Sequence, residues 1–321
     1  MLSRVADSIY WMNRYIERAE NVARFIHVNI NLMLDLPIDQ ANQWLPLVIT
    51  TGDRAAFESR YSEATQENVI HFLTFDELNP NSIVSCLTAA RENARTVREV
   101  ISSEAWEQVN RFYLMVKAAA RQTTPEHVPD VFYTSVKMAS HLYVGISDNT
   151  MNHGEGWHFA QLGRLLERAD KTARILDVKY FMLLPSVNYV GSPYDAILWS
   201  ALLKSASAFE MYRKRHHHID PTRVAEFLIL DRHFPRSINY CLGHAEQSLR
   251  QITGTPIGSF NNLAERRLGR LRSDLEYAPI EDIIAKGLHE FLDGLESQLN
   301  IVGQAIYSTF FAMRSTPLPA I

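Results

Sequence analysis

The sequence predicts an all-α protein, and three features of its 321 residues lead to that prediction. Apolar residues recur at helical spacing along almost the whole chain, and the strict alternation of a β-strand is nearly absent. Glycine and proline number only 13 each, and they fall where apolar segments begin or end. A chain of this length can bury a large core without disulfides or metals, and its hydrophobic content of 46% is close to that of a typical globular protein. We therefore expect a multi-helix bundle or array.

The helices are predicted in chain order from these patterns. Asp220 before Pro221 and the acids after Pro279 are typical helix starts. The stretch 36–62 is less regular and is expected to contain short helices. No low-complexity linker divides the chain, so 1–321 is predicted to form a single domain. Long helices are expected near 2–34, 82–101, 103–121, 130–151, 157–183, 193–215, 235–252, 260–276 and 280–313.

One charged helical sequence occurs twice, about 150 residues apart. It reads YIERAENVAR at 15–24 and LLERADKTAR at 165–174. The repeat predicts an internal duplication, with halves of roughly 1–150 and 151–321. Arg14, Glu17, Arg18, Ala19, Ala23, Arg24 and Val28 match Arg164, Glu167, Arg168, Ala169, Ala173, Arg174 and Val178.

The charged face of each copy needs partners outside its own helix. On a helical wheel the repeated alanines join an apolar face, while the Glu and Arg residues lie opposite. Arg14 and Arg18 are one turn apart, as are Arg164 and Arg168, and such like-charge pairs are unfavourable on an isolated helix. The partners are either the other copy, which would give a buried Glu/Arg network across a pseudo-twofold axis, or a bound carboxylate or phosphate. Spacing alone leaves both open.

A further arginine lies in the segment LDRHFPRSI at 230–238. Here one helix is predicted to end at Asp231 and the next to start near Pro235, which places Arg236 in a first turn. A cation there opposes the helix dipole unless it binds an acid. We expect Arg236 to meet Glu17 or Glu167, or a ligand carboxylate.

Composition argues against several classes of partner and site. The net charge of −4 gives no general attraction to nucleic acid or to an anionic membrane. No apolar stretch approaches the ~20 residues of a membrane span, and no signal peptide is recognisable, so a cytoplasmic protein is expected. Cys86 and Cys241 are expected to be buried, reduced thiols. The histidines of RKRHHH at 213–218 point ~100° apart and cannot share one ion, so no metal site is predicted.

The two Glu-Arg helices belong to a wider pattern of segments. Together with RENAR at 91–95, EGWHFAQLGRLLERAD at 155–170 and LDRHFPRSI, they resemble the bacterial alpha-E family. That family is all-helical and named for its Glu-Arg motif, and the resemblance covers essentially the whole chain. The motif falls on Glu17 and Arg18, and on Glu167 and Arg168.

The resemblance implies an association rather than a known activity. Alpha-E proteins are usually encoded beside, or fused to, a circularly permuted ATP-grasp protein, often with a transglutaminase-like protease. This implies a system that makes and later cleaves amide bonds on peptides or small metabolites. The chain contains no ATP-grasp portion and no nucleotide-binding signature, so no cofactor of its own is expected. ATP and Mg would enter through the partner.

Two functions remain open. In the first, the chain is an accessory or substrate-presenting subunit of that system. In the second, it is an enzyme in which Glu17 and Glu167 act as general acid and base, because paired carboxylates among guanidiniums can acquire different pKa values. In either case the arginines would bind a carboxylate or phosphate of a peptide or amino-acid substrate. The candidates are Arg14, Arg18, Arg24, Arg164, Arg168, Arg174 and Arg236.

Overall fold

The computed structural model describes residues 1–35, 44–122, 128–182 and 193–312, and every regular element in that part of the chain is helical. The all-α prediction is confirmed. The last element is a π-helical turn, Tyr307–Phe311. The helices are α1 (Ser3–Asp35), α2 (Leu45–Thr51), α3 (Arg54–Glu58), α4 (Gln66–Thr74), α5 (Ile83–Thr96), α6 (Ser103–Gln122), α7 (Asp130–Thr150), α8 (Glu155–Met182), α9 (Pro193–Ser205), α10 (Phe209–Arg215), α11 (Pro221–Leu230), α12 (Ile238–Thr253), α13 (Leu263–Glu276), α14 (Ile280–Lys286) and α15 (Leu288–Ile306).

Helices α1 and α8 form the centre of the molecule. On one side α5 and α7 pack against α1, and α6 packs between them. On the other side α12 and α15 pack against α8, and α13 contacts both. The connecting segments cross over, because α2 packs on α8 and α9 packs on α1. The two sides thus have corresponding contacts around the shared α1–α8 interface, while the duplication itself stays a prediction.

Helices α1 and α8 run side by side in the same direction and approach closely. The amino group of Met1 lies 2.7 Å from Glu155 at one end of the pair. Further along, a Cβ added to Gly163 would lie 2.3 Å from the carbonyl oxygen of Tyr10, so only glycine fits there. The repeated alanines of the apolar faces are also fully buried, as predicted: Ala19, Ala23, Ala169 and Ala173.

Some predicted helices are divided or were missed. The segment 193–215 forms two helices, because Ser207 adopts a left-handed φ of 52° between them. The segment 280–313 is divided at Gly287, whose φ of 99° ends one helix and begins the next. Helix α4 was not predicted, although Thr65 caps it by accepting a hydrogen bond from the backbone of the first turn.

Helix α12 begins later than expected, and this changes the position of Arg236. The helix was predicted from Pro235, but its first residue is Ile238. Ser237 is the N-cap, since its Oγ accepts a hydrogen bond of 3.2 Å from the backbone N–H of Tyr240. Arg236 therefore precedes the helix, and its placement in a first turn was wrong.

Other features bear on the excluded classes of site. No helix in the described ranges is long and apolar enough to cross a membrane. Within those same ranges, no three His, Cys, Asp or Glu side chains are grouped so that they could hold a metal ion. Cys86 and Cys241 are both buried and free, and each thiol lies against a proline carbonyl.

Candidate functional site

Glu167 on α8 is fully buried, and two arginines of α1 bind its carboxylate. Nε of Arg14 donates to Oε2 over 2.8 Å. Arg18 binds both oxygens, through Nε at 2.6 Å and Nη2 at 3.0 Å. A third cation, Lys171, lies 3.8 Å from Oε1. The outer nitrogen of Arg18 donates to the side-chain oxygen of Asn81 over 2.5 Å, so the guanidinium is fixed from both sides.

Glu17 on α1 has the reciprocal arrangement and is only 2% exposed. Arg168 of α8 binds both of its oxygens, through Nε at 2.8 Å and Nη2 at 2.9 Å. Arg236 donates to Oε1 over 3.2 Å, and Nδ2 of Asn21 donates to the same oxygen over 3.2 Å. Each glutamate of the repeated motif is thus bound by the motif arginine of the other helix.

The arginine before each motif behaves differently in the two halves. Arg14 joins Arg18 on the opposite glutamate, and neither forms an ion pair within its own helix. Arg164 donates instead to the side chain of Gln161. Among residues 1–35, 44–122, 128–182 and 193–312, no acid lies within ion-pair distance of Arg164. The structure therefore contains the internal network that spacing left open, but with one arginine outside it.

A second layer of charges surrounds Asp170. Arg174 donates to both carboxylate oxygens over 3.1 Å, and Lys171 donates to Oδ2 over 3.0 Å. The far side of Arg174 binds Glu296 of α15, with Nη1 and Oε2 2.9 Å apart. Asp170 and Arg174 are thus paired one turn apart on α8, and an acid from another helix also binds Arg174.

The corresponding layer around Glu20 has a different set of neighbours. Arg24 and Arg236 both donate to this fully buried carboxylate, the second over 2.8 Å. His141 of α7 lies 3.6 Å from Oε1. The next charged residue on that face of α7 is Lys137, whose ammonium group donates to Nδ1 of His27 over 2.7 Å. Here α7 brings bases to the cluster, where α15 brought an acid.

Arginines hold both motif glutamates in the charged form. Burial alone would raise the pKa of Glu17, but Arg168 and Arg236 hold it well below its usual range. Burial would likewise raise the pKa of Glu167, but Arg18 and Arg14 hold it far below its usual range. Both groups shift in the same direction, so the cluster does not divide them into an acid and a base. Their assignment as catalytic residues stays a prediction.

The arginines show that the two halves are electrostatically unequal. Around Glu167 the pKa values of Arg14, Arg18 and Arg174 are raised, because nearby acids outweigh the effect of burial. In the other half burial and the neighbouring Arg236 lower the pKa of Arg24 to about 9. Burial and Arg168 similarly lower the pKa of Arg164 to about 10. Arg168, bound to Glu17, keeps a raised pKa, so the shortage of negative charge in this half falls on Arg24, Arg164 and Arg236.

Among the described carboxyl groups of the charged cluster, Glu296 has a pKa suited to proton transfer. Burial raises its pKa to about 7 despite the contact with Arg174, and Asp170 and Asp177 act in the same direction. A carboxyl group that titrates near neutral pH can serve as general acid or base. Nothing in the sequence distinguishes Glu296 from other acids of a charged helix, because its pKa depends on which helix covers it.

A cavity of about 230 Å³ opens beside Arg14 between α1, α8 and α15. The guanidinium of Arg14 lies 4.9 Å from the centre of the Trp11 ring, and its side chain is 17% exposed. Asp170 contributes the opposite charge, and Asn300 and Gln304 contribute amides from α15. Rings and aliphatic groups complete the lining, from Tyr10, Leu166, Leu299, Tyr307 and Phe311.

A second pair of similar segments in the sequence points to Asn81, but it is not aligned by the offset of about 150 residues that relates the Glu-Arg helices. Asn81 precedes the cap of α5 as Arg236 precedes the cap of α12, within PNSIVSCL at 80–87 and PRSINYCL at 235–242. The separation of these segments is slightly larger than that of the Glu-Arg helices, so one offset does not align both. Comparison of these segments would have identified Asn81 as a contact of the cluster.

Comparisons with known proteins agree with this picture of a helical Glu-Arg unit. A family model described as a predicted alpha-helical domain with a conserved ER motif matches residues 1–311. Uncharacterized proteins of Mycobacterium bovis and Mycobacterium tuberculosis are each 23% identical to the chain over 335 residues. The match covers 97% of this chain but only 37% of those relatives, so the chain spans little more than a third of their length. No solved structure matches the chain significantly.

Proposed function

The chain belongs to the alpha-E family, and on that premise we propose that it is a non-catalytic subunit of an ATP-grasp-dependent system that forms amide bonds. Its role is to bind a peptide or amino-acid substrate and present it to a circularly permuted ATP-grasp protein, which supplies ATP and Mg. The length of the mycobacterial relatives supports a role beside other domains, since the match covers 37% of each relative and leaves most of its polypeptide outside the matched region.

The state of the motif glutamates is the observation that carries this proposal. Both oxygens of Glu17 and of Glu167 accept charge-assisted hydrogen bonds from guanidinium groups. A carboxylate bound in this way is a poor base, and protonating it would leave buried arginines without a counter-charge. The repeated motif is therefore suited to fixing α1 against α8 and to placing arginines at the edges of the interface.

The cavity beside Arg14 is the proposed position of the substrate. A substrate carboxylate would bind the exposed edge of Arg14, which is already oriented by Glu167 and by stacking on Trp11. An ammonium or amide group would meet Asp170 and the amides of Asn300 and Gln304. The volume of about 230 Å³ is suitable for one amino-acid residue and not for a nucleotide.

The test combines the purified chain with the ATP-grasp protein encoded in the same genome. We expect a complex in size-exclusion chromatography, and ATP turnover on amino acids or peptides that rises at least about tenfold when the chain is present. Gly303→Leu should abolish this stimulation while the complex persists, because a Cβ at this position already lies 4.0 Å from Nη1 of Arg14.

Gly294→Leu is the matched control, since it alters the same helix at a position with open space around it. Its stimulation of the partner should equal that of the wild type. The absence of both a complex and an effect on ATP turnover would contradict the proposal. Equal losses in the two glycine variants would contradict the assignment of the cavity.

An enzymatic role in the same system is the second candidate, and the position of Glu296 favours it. This carboxyl group, with a pKa of about 7, lies one turn from Asn300 in the lining of the cavity. It is a better general base than Glu17 or Glu167. If Glu296→Gln abolishes product formation by the complete system while the complex and ATP binding persist, the enzymatic role replaces the non-catalytic one.

A further inference from the structure

We infer that the surface between α1 and α7 is a binding site for an oxyanion, a carboxylate or phosphate group of a small molecule, held by Arg24, Lys137 and His141. This site differs from the cavity beside Arg14, which lies against α15. It requires no partner protein, so it does not depend on the proposed function.

The geometry leaves hydrogen-bond donors without partners between α1 and α7, one of them buried. Arg24 is nine-tenths buried and donates through Nη2 to Glu20, while its Nε has no partner in the described part of the chain. His141 lies beside the same carboxylate, and its side chain is 53% exposed. Lys137 uses one of its three N–H groups to donate a hydrogen bond to His27, and it forms no ion pair with a described acid. Arg24 and His141 meet at Glu20, and Lys137 lies one turn from His141 on α7.

Comparison of the two halves shows that an acid is missing here. Arg174 lies between Asp170 on its own helix and Glu296 from α15, and its pKa is raised. Arg24 also has an acid on its own helix, but the helix that packs beside it supplies Lys137 instead of a glutamate. The pKa of Lys137 is lowered by burial and by Arg24, as expected for two cations close together.

The remaining charges around the site do not supply the missing acid. Glu17 and Glu20 are buried and already bound by Arg168, Arg236 and Arg24. Asp130 is exposed and faces His27 at 3.9 Å. The described cations around this half therefore outnumber its acids, and an oxyanion would provide the charge that Glu296 provides in the other half. The groups counted are Arg24, Lys137, Arg164, Arg168 and Arg236 against Glu17, Glu20 and Asp130.

His141 would orient the anion rather than attract it. Burial and the nearby Arg24 lower the pKa of His141 to about 4, so its imidazole is neutral at pH 7. A neutral imidazole donates one hydrogen bond and adds no charge. The attraction therefore comes from Arg24 and Lys137, and Lys137 is the residue to change because it is the more exposed of the two.

The first experiment is isothermal titration calorimetry on the full chain without any partner. Inorganic phosphate and succinate are titrated separately at pH 7 and constant ionic strength. At least one should bind with a Kd on the order of 1 mM, and the tighter one identifies the site as a phosphate or a carboxylate site. Lys137→Gln should weaken binding at least tenfold, whereas Lys286→Gln, which removes an exposed lysine at the end of α14, should have no effect.

The second experiment supplies the missing acid within the chain. Lys137→Glu places a carboxylate beside Arg24, as Glu296 lies beside Arg174. Without added anion, this variant should melt about 2 °C or more above the wild type, and the probe anion should no longer raise its Tm. Failure of both probes to bind the wild type would overturn the inference. Unchanged binding in Lys137→Gln, or a lower Tm in Lys137→Glu, would also overturn it.

Discussion

Lys171 and Arg236 have equivalent roles in opposite halves of the charged cluster. Each brings an additional cation to a buried motif glutamate, Lys171 from within α8 and Arg236 from the loop before α12. At the two exchanged positions the chain has asparagines: Asn21 occupies the place of Lys171 on α1, and Asn81 the place of Arg236 before α5. Each half thus has one additional cation at its motif glutamate, which comes from the helix in one half and from a loop in the other.

If these positions are equivalent, a lysine at position 21 should partly replace the cation that is lost when Arg236 is removed. Arg236→Asn should lower the free energy of unfolding by roughly 3–5 kcal/mol, since it leaves buried acids with fewer partners. Adding Asn21→Lys should restore at least about 1 kcal/mol of that loss, because a lysine there would reach Glu17 as Lys171 reaches Glu167. Urea unfolding of the single and double variants provides the comparison. A double variant less stable than Arg236→Asn would show that the two positions are not equivalent.

The sequence was sufficient for the fold class and for most residues of the cluster. Helical periodicity predicted α1, α8 and most other long helices, and the repeat identified the glutamates and arginines that meet. Arg236 was expected to meet an acid, and it meets Glu17 and Glu20. These features depend on spacing along one helix, which a sequence displays directly.

What the sequence could not provide depends on contacts between helices. Glu296 and Lys137 are ordinary charged residues of α15 and α7, and only the packing of those helices places an acid beside Arg174 and a base near Arg24. The start of α12 was misplaced because Ser237 competes with Pro235 as a helix start, and its hydroxyl satisfies the first turn. The electrostatic inequality of the halves therefore appears only in the folded protein.

The motif glutamates are expected to stabilise the fold strongly. Glu17→Gln and Glu167→Gln should each lower the free energy of unfolding by about 3–5 kcal/mol, because each leaves buried guanidinium groups without their counter-charge. Chemical unfolding in urea measures the loss. Glu92→Gln is the control, since Glu92 forms only exposed ion pairs worth at most about 1 kcal/mol. Stability equal to that of the wild type would mean that the glutamates are retained for a purpose other than folding.

Stability should fall with rising pH through the titration of Glu296. The folded-state pKa is raised to about 7 from the usual 4.5, so between these values the folded protein holds a proton that the unfolded chain has released. The free energy of unfolding then decreases by up to roughly 1.4 kcal/mol per pH unit as pH rises through this window. Glu296→Gln removes this titrating group, so its stability should not show the decline across this window.

Urea unfolding of the wild type and Glu296→Gln from pH 5 to 8 isolates this contribution. His141→Gln serves as the contrast, because the pKa of His141 is lowered to about 4 and its contribution has the opposite sign between that value and 6.5. Parallel pH profiles for the wild type and Glu296→Gln would show that Glu296 is charged throughout.

The close approach of α1 and α8 predicts opposite effects for two glycine substitutions. In an ordinary helix interior, replacing glycine by alanine stabilises by roughly 0.5–1 kcal/mol. Gly243→Ala should behave in this way, because nothing lies within 4 Å of the added Cβ. Gly163→Ala should instead cost about 1–3 kcal/mol, since its Cβ would lie 2.3 Å from the backbone oxygen of Tyr10 and force the helices apart.

Separation of the helices would also lengthen the contacts between Arg18 and Glu167, so Gly163→Ala and Glu167→Gln should be less than additive in urea unfolding. Additive losses would mean that the helix crossing and the charged cluster are independent.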